Sequence, residues 1–180
     1  MVRWTALPAL LAPAAICTPA YAVQYLTVEQ AQKILLPEAE RMVQADIALT
    51  PELKRRVEAA SGVRVRNDVQ RVWRGERAGA PLGWFILDEV VGKHEFITYA
   101  IGLDPDGSVR GIEILDYRES YGGQIRDPRW RQQFAGKKNG AALKLDADIR
   151  NISGATLSCR NVANGVKRLL ALHKVALAST

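Results

Sequence analysis

Ser153-Gly154-Ala155-Thr156-Leu157-Ser158 gathers three hydroxyl side chains and two small residues just ahead of a long amphipathic segment. A helix start presents backbone N–H groups that lack intrahelical partners, together with the positive end of the helix dipole. Such a position suits a phosphate. The Thr156 hydroxyl, placed there, is a candidate for a covalent bond to that phosphate. Without a ligand the same residues describe an ordinary helix entry, with Ser153 as N-cap, Gly154 and Ala155 in the first turn and Thr156 as a solvated hydroxyl.

A second stretch, Glu119-Ser120-Tyr121-Gly122-Gly123, follows a strand-like run. Glycine lets backbone come close to a planar ring, and the Ser120 hydroxyl or nearby N–H groups can bond its polar edge. Tyr121 either stacks on such a ring or is a plain loop residue. Elsewhere the chemistry is sparse. His94 and His173 are the only histidines and lie too far apart in sequence to suggest a metal pair. Asp104 and Asp106 resemble the start of a calcium loop, but Pro105 and the missing distal glutamate make a turn the better reading. There is neither a nucleophile elbow nor a dinucleotide-binding glycine fingerprint, so hydrolase chemistry and direct oxidation of a nicotinamide nucleotide have no support.

These residues need elements to hold them. Thr27 with Gln30 forms a capping box before a helix over 28–35. Alternation of Val43, Ala45, Ile47 and Leu49 predicts a strand over 42–49. Thr50-Pro51-Glu52 opens a helix that runs to about Ala60, where Ser61-Gly62 stops it. The middle reads as antiparallel β: an irregular strand over 63–73, then strands over 84–91, 96–103 and 109–117. Asp104-Pro105-Asp106-Gly107 turns the last two into a hairpin. Asp127-Pro128 starts a short helix through Phe134, and a final helix carries Leu157, Val162, Val166, Leu169, Leu170 and His173. Trp84, Phe96, Tyr99, Tyr117 and Trp130 are the expected aromatic core. The predicted fold class is α+β, a twisted antiparallel sheet with flanking helices.

Met1-Val2-Arg3-Trp4, an apolar run from Ala6 to Cys17 and Ala20-Tyr21-Ala22 form the pattern of a secretory signal peptide over 1–22. The run is short for a membrane span and is interrupted by Pro8 and Pro13. Export leaves Cys159 as the only mature cysteine, read as a small packing residue. The 180-residue chain has a formal net charge of +6, but its arginines and lysines are scattered. Nothing else marks nucleic-acid binding. Expected units are the signal peptide at 1–22, helices and a strand at 23–82, and a domain at 83–176.

The Ser153–Ser158 motif, the strand-turn-strand unit before it, the Glu-Ser-x-Gly loop and the leader together resemble the FMN-binding domain family, over roughly Gly83 to Lys174. The resemblance implies an FMN cofactor bound by Ser153, Gly154, Ala155, Thr156, Leu157, Ser158, Glu119, Ser120, Gly122 and Gly123. Thr156 would be joined to the FMN phosphate by a phosphoester bond, made by a periplasmic flavin transferase that uses FAD as donor. It further implies an electron-transfer flavoprotein rather than a stand-alone enzyme. Its place would be the periplasm, in association with the inner membrane, and its partners redox proteins of either. Two departures stand out. Tyr121 replaces the proline of the family's loop. Arg150 occupies the position, three residues before Ser153, where the family has an aspartate that helps the transferase recognise its target. Arg150 is instead a candidate neighbour of the flavin phosphate. The rival readings are a flavin-free binding module on the same fold and a flavin-dependent reductase of a small acceptor.

Overall fold

The computed structural model describes residues 25–178, so the leader expected at 1–22 lies outside the described residues. Helix α1 (Val28–Leu35) begins with the predicted capping box. The Gln30 N–H donates to Thr27 Oγ1 at 3.2 Å and the Thr27 N–H to Gln30 Oε1 at 2.8 Å. Helix α2 (Pro51–Ser61) is capped by Thr50 and ends on Gly62 at φ 69°, a left-handed position suited to glycine.

Six antiparallel strands form the sheet. They are β1 (Arg41–Gln44), β2 (Ile47–Ala48), β3 (Val69–Arg77), β4 (Ala80–Val91), β5 (Phe96–Leu103) and β6 (Val109–Tyr117). Their order is β1-β3-β4-β5-β6, with β2 also paired to β3. The strand predicted over 42–49 is in fact two. At the break the Ala45 N–H donates to the Val72 carbonyl at 2.8 Å, while Asp46 Oδ1 accepts the Val72 N–H at 3.0 Å. A side chain thus takes the place of a ladder bond. The irregular strand predicted over 63–73 forms only from Val69, and residues 64–67 belong to neither helix nor strand.

Both faces of the sheet are covered, as the side-chain alternation requires. On β4, Trp84, Ile86 and Val90 face one core with Tyr99, Ile101 and Ile112, while Phe85 and Leu87 face a smaller one with Ala31, Leu35 and Leu36 of the α1 region. Cross-strand partners Gly102 and Gly111 make room there. A Cβ on either would lie 3.0–3.2 Å from Leu35. Helix α4 (Thr156–Leu172) covers the larger core through Cys159, Val162, Val166, Leu169 and Leu170, and a π-helical turn continues it over His173–Leu177. A register shift between Thr98 and Tyr99 places both Ile114 and Tyr117 on the α4 side, against simple alternation. Asp127 caps the short helix α3 (Pro128–Arg131), and a 3₁₀ turn completes the predicted element to Phe134.

One aromatic departs from the expected core. Phe96, the first residue of β5, is 60% exposed; it pairs with Val91 where the β4–β5 turn joins the two strands, at the edge of the packed core. Trp84, Tyr99, Tyr117 and Trp130 are buried as predicted, and so is Cys159. No helix among the described residues is long and apolar enough to cross a membrane.

Candidate functional site

Three segments meet beyond the ends of β4, β5 and β6. The first is the start of α4. The Ala155 N–H donates to the Ile152 carbonyl at 2.9 Å, closing a turn in which Gly154 takes φ 81°. Thr156 is the first helical residue and Ala155 its N-cap, with no side-chain cap. Ser153 is therefore not the cap expected of it, because the turn over Ile152–Ala155 delays the helix by two residues and leaves Ser153 exposed. The first-turn N–H groups of a 17-residue helix are thus left without a protein side chain to satisfy them.

The second segment is the loop after β6. The Tyr117 phenol donates to the Tyr121 carbonyl and shapes the loop. Burial pushes that phenol's pKa up, and a bond with the Ser158 hydroxyl partly offsets the effect. Gly122 follows at φ 85°, packed onto Ala155.

The third segment is the β4–β5 turn, which the sequence did not single out for function. It is drawn in by Glu119, whose Oε1 accepts the His94 N–H at 2.6 Å and the Glu95 N–H at 3.0 Å. Burial raises the pKa of this carboxyl, but the N–H groups of Glu95, His94 and Lys93 outweigh it and hold the group below its ordinary range. Gly92 belongs to the same turn, and a Cβ there would overlap Glu119 Oε1.

Between the segments lies a cavity of about 380 Å³, lined by Lys93, His94, Glu119, Ser120, Tyr121 and the run from Gly154 to Ser158. Seven predicted residues come together there: Glu119, Ser120, Gly154, Ala155, Thr156, Leu157 and Ser158. Ser153, Gly122 and Gly123 stand outside its lining. Gly122 supports it from behind, and Ser153 belongs to the turn beneath. Lys93, His94 and Asn151 are the residues that sequence reasoning missed. Asn151 Nδ2 donates to Thr156 Oγ1 at 3.2 Å, and its Oδ1 is buried without a partner. No spacing rule marks any of the three, since a pinned turn and a folded-back loop bring them in.

Arg150 lines a separate cavity of about 550 Å³ with Gln124, Asp127, Arg129, Trp130, Gln133, Asn151 and Ile152, and not the one at Thr156. Its backbone is fixed by the Trp130 indole N–H, which donates to its carbonyl at 2.8 Å, and by Gln133 Oε1, which accepts its N–H at 2.6 Å. This placement gives no support to a contact between Arg150 and the flavin phosphate.

The donor set fits a ligand with an anionic tail and a planar ring. The uncapped helix start and the Lys93 ammonium suit a phosphate, and the cavity has the size of a small-molecule site. Tyr121, 79% exposed, and Leu157, 43% exposed, offer apolar surface at its rim that no protein group covers. The orphaned Asn151 carbonyl beside Thr156 is a polar atom of the kind that bound groups or waters usually satisfy.

Comparison with known proteins agrees with this geometry. Residues 92–171 match the family model described as FMN-binding domain, and that segment includes all three walls of the cavity. One Na(+)-translocating NADH-quinone reductase subunit, from Yersinia pestis, is 31% identical over 145 residues, 71% of this chain and 53% of that protein. One ion-translocating oxidoreductase complex subunit, from Aliivibrio fischeri, is 31% identical over 111 residues, 56% of this chain and 51% of that protein. The chain thus spans about half the length of the curated relatives it matches. Among solved structures, that of a Na(+)-translocating NADH-quinone reductase subunit from Parabacteroides distasonis superposes with a TM-score of 0.54 at 16% identity, covering 86% of each chain. That likeness bears out the α+β fold.

Proposed function

We propose that this chain, whose residues 92–171 belong to the FMN-binding domain family, carries its FMN esterified at Thr156 and passes electrons between redox proteins. The single observation behind the covalent link is the position of the Thr156 hydroxyl, on the first residue of an uncapped helix and at the wall of the cavity. Two relatives are named as subunits of a Na(+)-translocating NADH-quinone reductase and of an ion-translocating oxidoreductase complex. By analogy, the partners of this chain are redox proteins of the inner membrane or periplasm. Export to the periplasm rests on the leader at 1–22, and maturation on a flavin transferase. The FMN-binding unit is taken to span 83–176, with β1, β2 and β3 extending its sheet on the β4 side.

Bound FMN supplies the chemistry, taking up and giving up one or two electrons. The protein's residues bind and orient it. The first-turn N–H groups of α4 and the Lys93 ammonium hold the phosphate's charge. The Ser120 hydroxyl would be available to the polar edge of the ring, and Tyr121 with Leu157 would offer it apolar surface. Glu119 does its work indirectly, fixing the turn that carries Lys93 and His94. Attachment costs Thr156 its hydroxyl proton and gives it an Oγ–P bond. With FAD as donor the pyrophosphate bond breaks and AMP leaves.

The test is the intact mass of the exported chain after coexpression with a flavin transferase. A gain equal to FMN less one water, absent in Thr156→Val, is the expected result. A colourless chain of unmodified mass overturns the reading and favours a flavin-free binding module on the same fold.

A further inference from the structure

We propose that Asn151 positions the Thr156 hydroxyl for phosphoester formation and then holds the ester oxygen that results. The inference rests on the reading of Thr156 as the attachment residue. Its own ground is the contact of Asn151 Nδ2 with Thr156 Oγ1 at 3.2 Å, coupled to a buried Asn151 Oδ1 that has no partner. The turn over Ile152–Ala155, with Gly154 at φ 81°, folds the chain back so that a side chain five positions earlier reaches the first residue of α4.

The chemistry of the two groups explains the pairing. A threonine hydroxyl both donates and accepts, whereas a phosphoester oxygen only accepts. An asparagine amide carries one donating and one accepting end of nearly the same shape, exchanged by rotation about its last bond. With Oδ1 turned toward Thr156, the amide accepts the hydroxyl proton and satisfies the orphaned carbonyl. With Nδ2 turned toward it, the amide donates to Oγ. The second arrangement is the one an ester oxygen requires. Asn151 takes no proton in the transfer itself. In that step the Oγ–P bond forms, the P–O bond to AMP breaks, AMP leaves and the Thr156 proton is released. By occupying one Oγ lone pair, Asn151 leaves the other for phosphorus. It is a positioning residue.

Asn151→Asp keeps the shape but replaces the donor with a carboxylate that also repels the phosphate. Protonation restores an O–H donor to the variant. The experiment measures the rate of FMN incorporation by intact mass, using purified apoprotein, FAD and a flavin transferase. Wild type, Asn151→Asp and Asn151→Leu are compared at about pH 8 and about pH 5.5, a range that approaches carboxylate titration. The apoprotein melting temperature is recorded for each.

The expected result is that Asn151→Asp is slowed at least about tenfold at the higher pH. Its rate relative to wild type then rises severalfold at the lower pH, while that of Asn151→Leu stays low at both. A purely structural role would lower the melting temperature of the variants without moving this pH-dependent ratio, and that outcome overturns the proposal. So does an Asn151→Asp rate equal to wild type. A wild-type chain that takes up no FMN defeats the parent reading and this one with it. A modified wild type beside an unimpaired variant defeats this one alone.

Discussion

Gly122 and Ala155 pack so tightly that a Cβ on Gly122 would overlap the Ala155 side chain and lie 2.7 Å from Tyr117 Oη. This contact joins the loop after β6 to the start of α4, and with them two of the three walls of the cavity. Gly122 also sits at φ 85°, where a side chain is strained even with room around it. Gly122→Ala is therefore expected to lose about 1–3 kcal/mol of stability, and to lower FMN incorporation by parting the two walls. Urea denaturation of the apoprotein checks the first effect and intact mass the second. A variant as stable as wild type would show that the loop can shift away freely.

Glu119 is the clasp of the third wall. Its carboxyl pKa is lowered in the folded chain, so the stability it contributes is present above the unfolded carboxylate value and lost as pH falls through the folded one. Glu119→Gln keeps the size but weakens the acceptor. The amides of His94 and Glu95, which bond to Oε1, should exchange with solvent about threefold to tenfold faster in the variant. In wild type the protection factors of these amides, corrected for the intrinsic pH dependence of exchange, should fall in the same way on acidification. Hydrogen exchange followed by NMR at these two amides, against core amides of β5 as a control, is the measurement. Equal protection in both proteins would place the anchor of the turn elsewhere.

What could be read in the sequence was local. The capping box at Thr27 and Gln30, the Thr50-Pro51 helix start and the Asp104–Gly107 turn all state their structure within a few residues, and all three form as expected. The split between β1 and β2 was hidden because it depends on Asp46 reaching Val72, a residue 26 positions away. Phe96 was misplaced because a large aromatic reads as core unless the exposed end of its hairpin is known. The same contrast runs through the cavity. Thr156 and its neighbours are contiguous and were legible by resemblance. Lys93 and His94 enter only through the Glu119 clasp, and Asn151 reaches Thr156 only through the turn beneath α4. Glu119 itself was legible as a residue of the cavity, though not as the one that builds its far wall.

His173 gives the fold a second pH response. The imidazole is buried beside Gly107, where a Cβ would lie 2.6 Å from Nδ1, and its Nε2 has no partner. Burial lowers its pKa, against the opposing pull of the Asp106 carboxylate and a bond with the Pro105 backbone. A histidine with a lowered folded pKa contributes stability in full above its unfolded value and loses it as pH falls through the folded one. His173→Gln should thus trail wild type most at about pH 7.5, with the gap narrowing toward about pH 5. Urea midpoints at the two pH values decide it, and a gap that widens on acidification would reverse the sign assigned to this group.

The charge cluster under α4 responds to acid in the other direction. Asp88 is buried at the centre of the sheet, where its Oδ2 accepts both the Tyr99 O–H and an Arg168 N–H at 2.6 Å. Burial raises its pKa, and the Arg168 guanidinium is the main force opposing that rise. Gly165 permits the arrangement, since a Cβ there would overlap Tyr99 Oη. Arg168→Leu strands a buried carboxylate with a neutral donor, which should cost about 3–5 kcal/mol at neutral pH. Because a group whose folded pKa is raised loses stability as pH increases through that value, the deficit should shrink toward about pH 4.5, as Asp88 takes up a proton. Asp88→Asn combined with Arg168→Leu removes both charges and should recover much of the loss, with little dependence on pH. Chemical denaturation of the three proteins at both pH values separates these outcomes. An Arg168→Leu deficit below about 1 kcal/mol, or one that ignores pH, would mean that the carboxylate finds water and that the guanidinium is not what keeps α4 seated on the sheet.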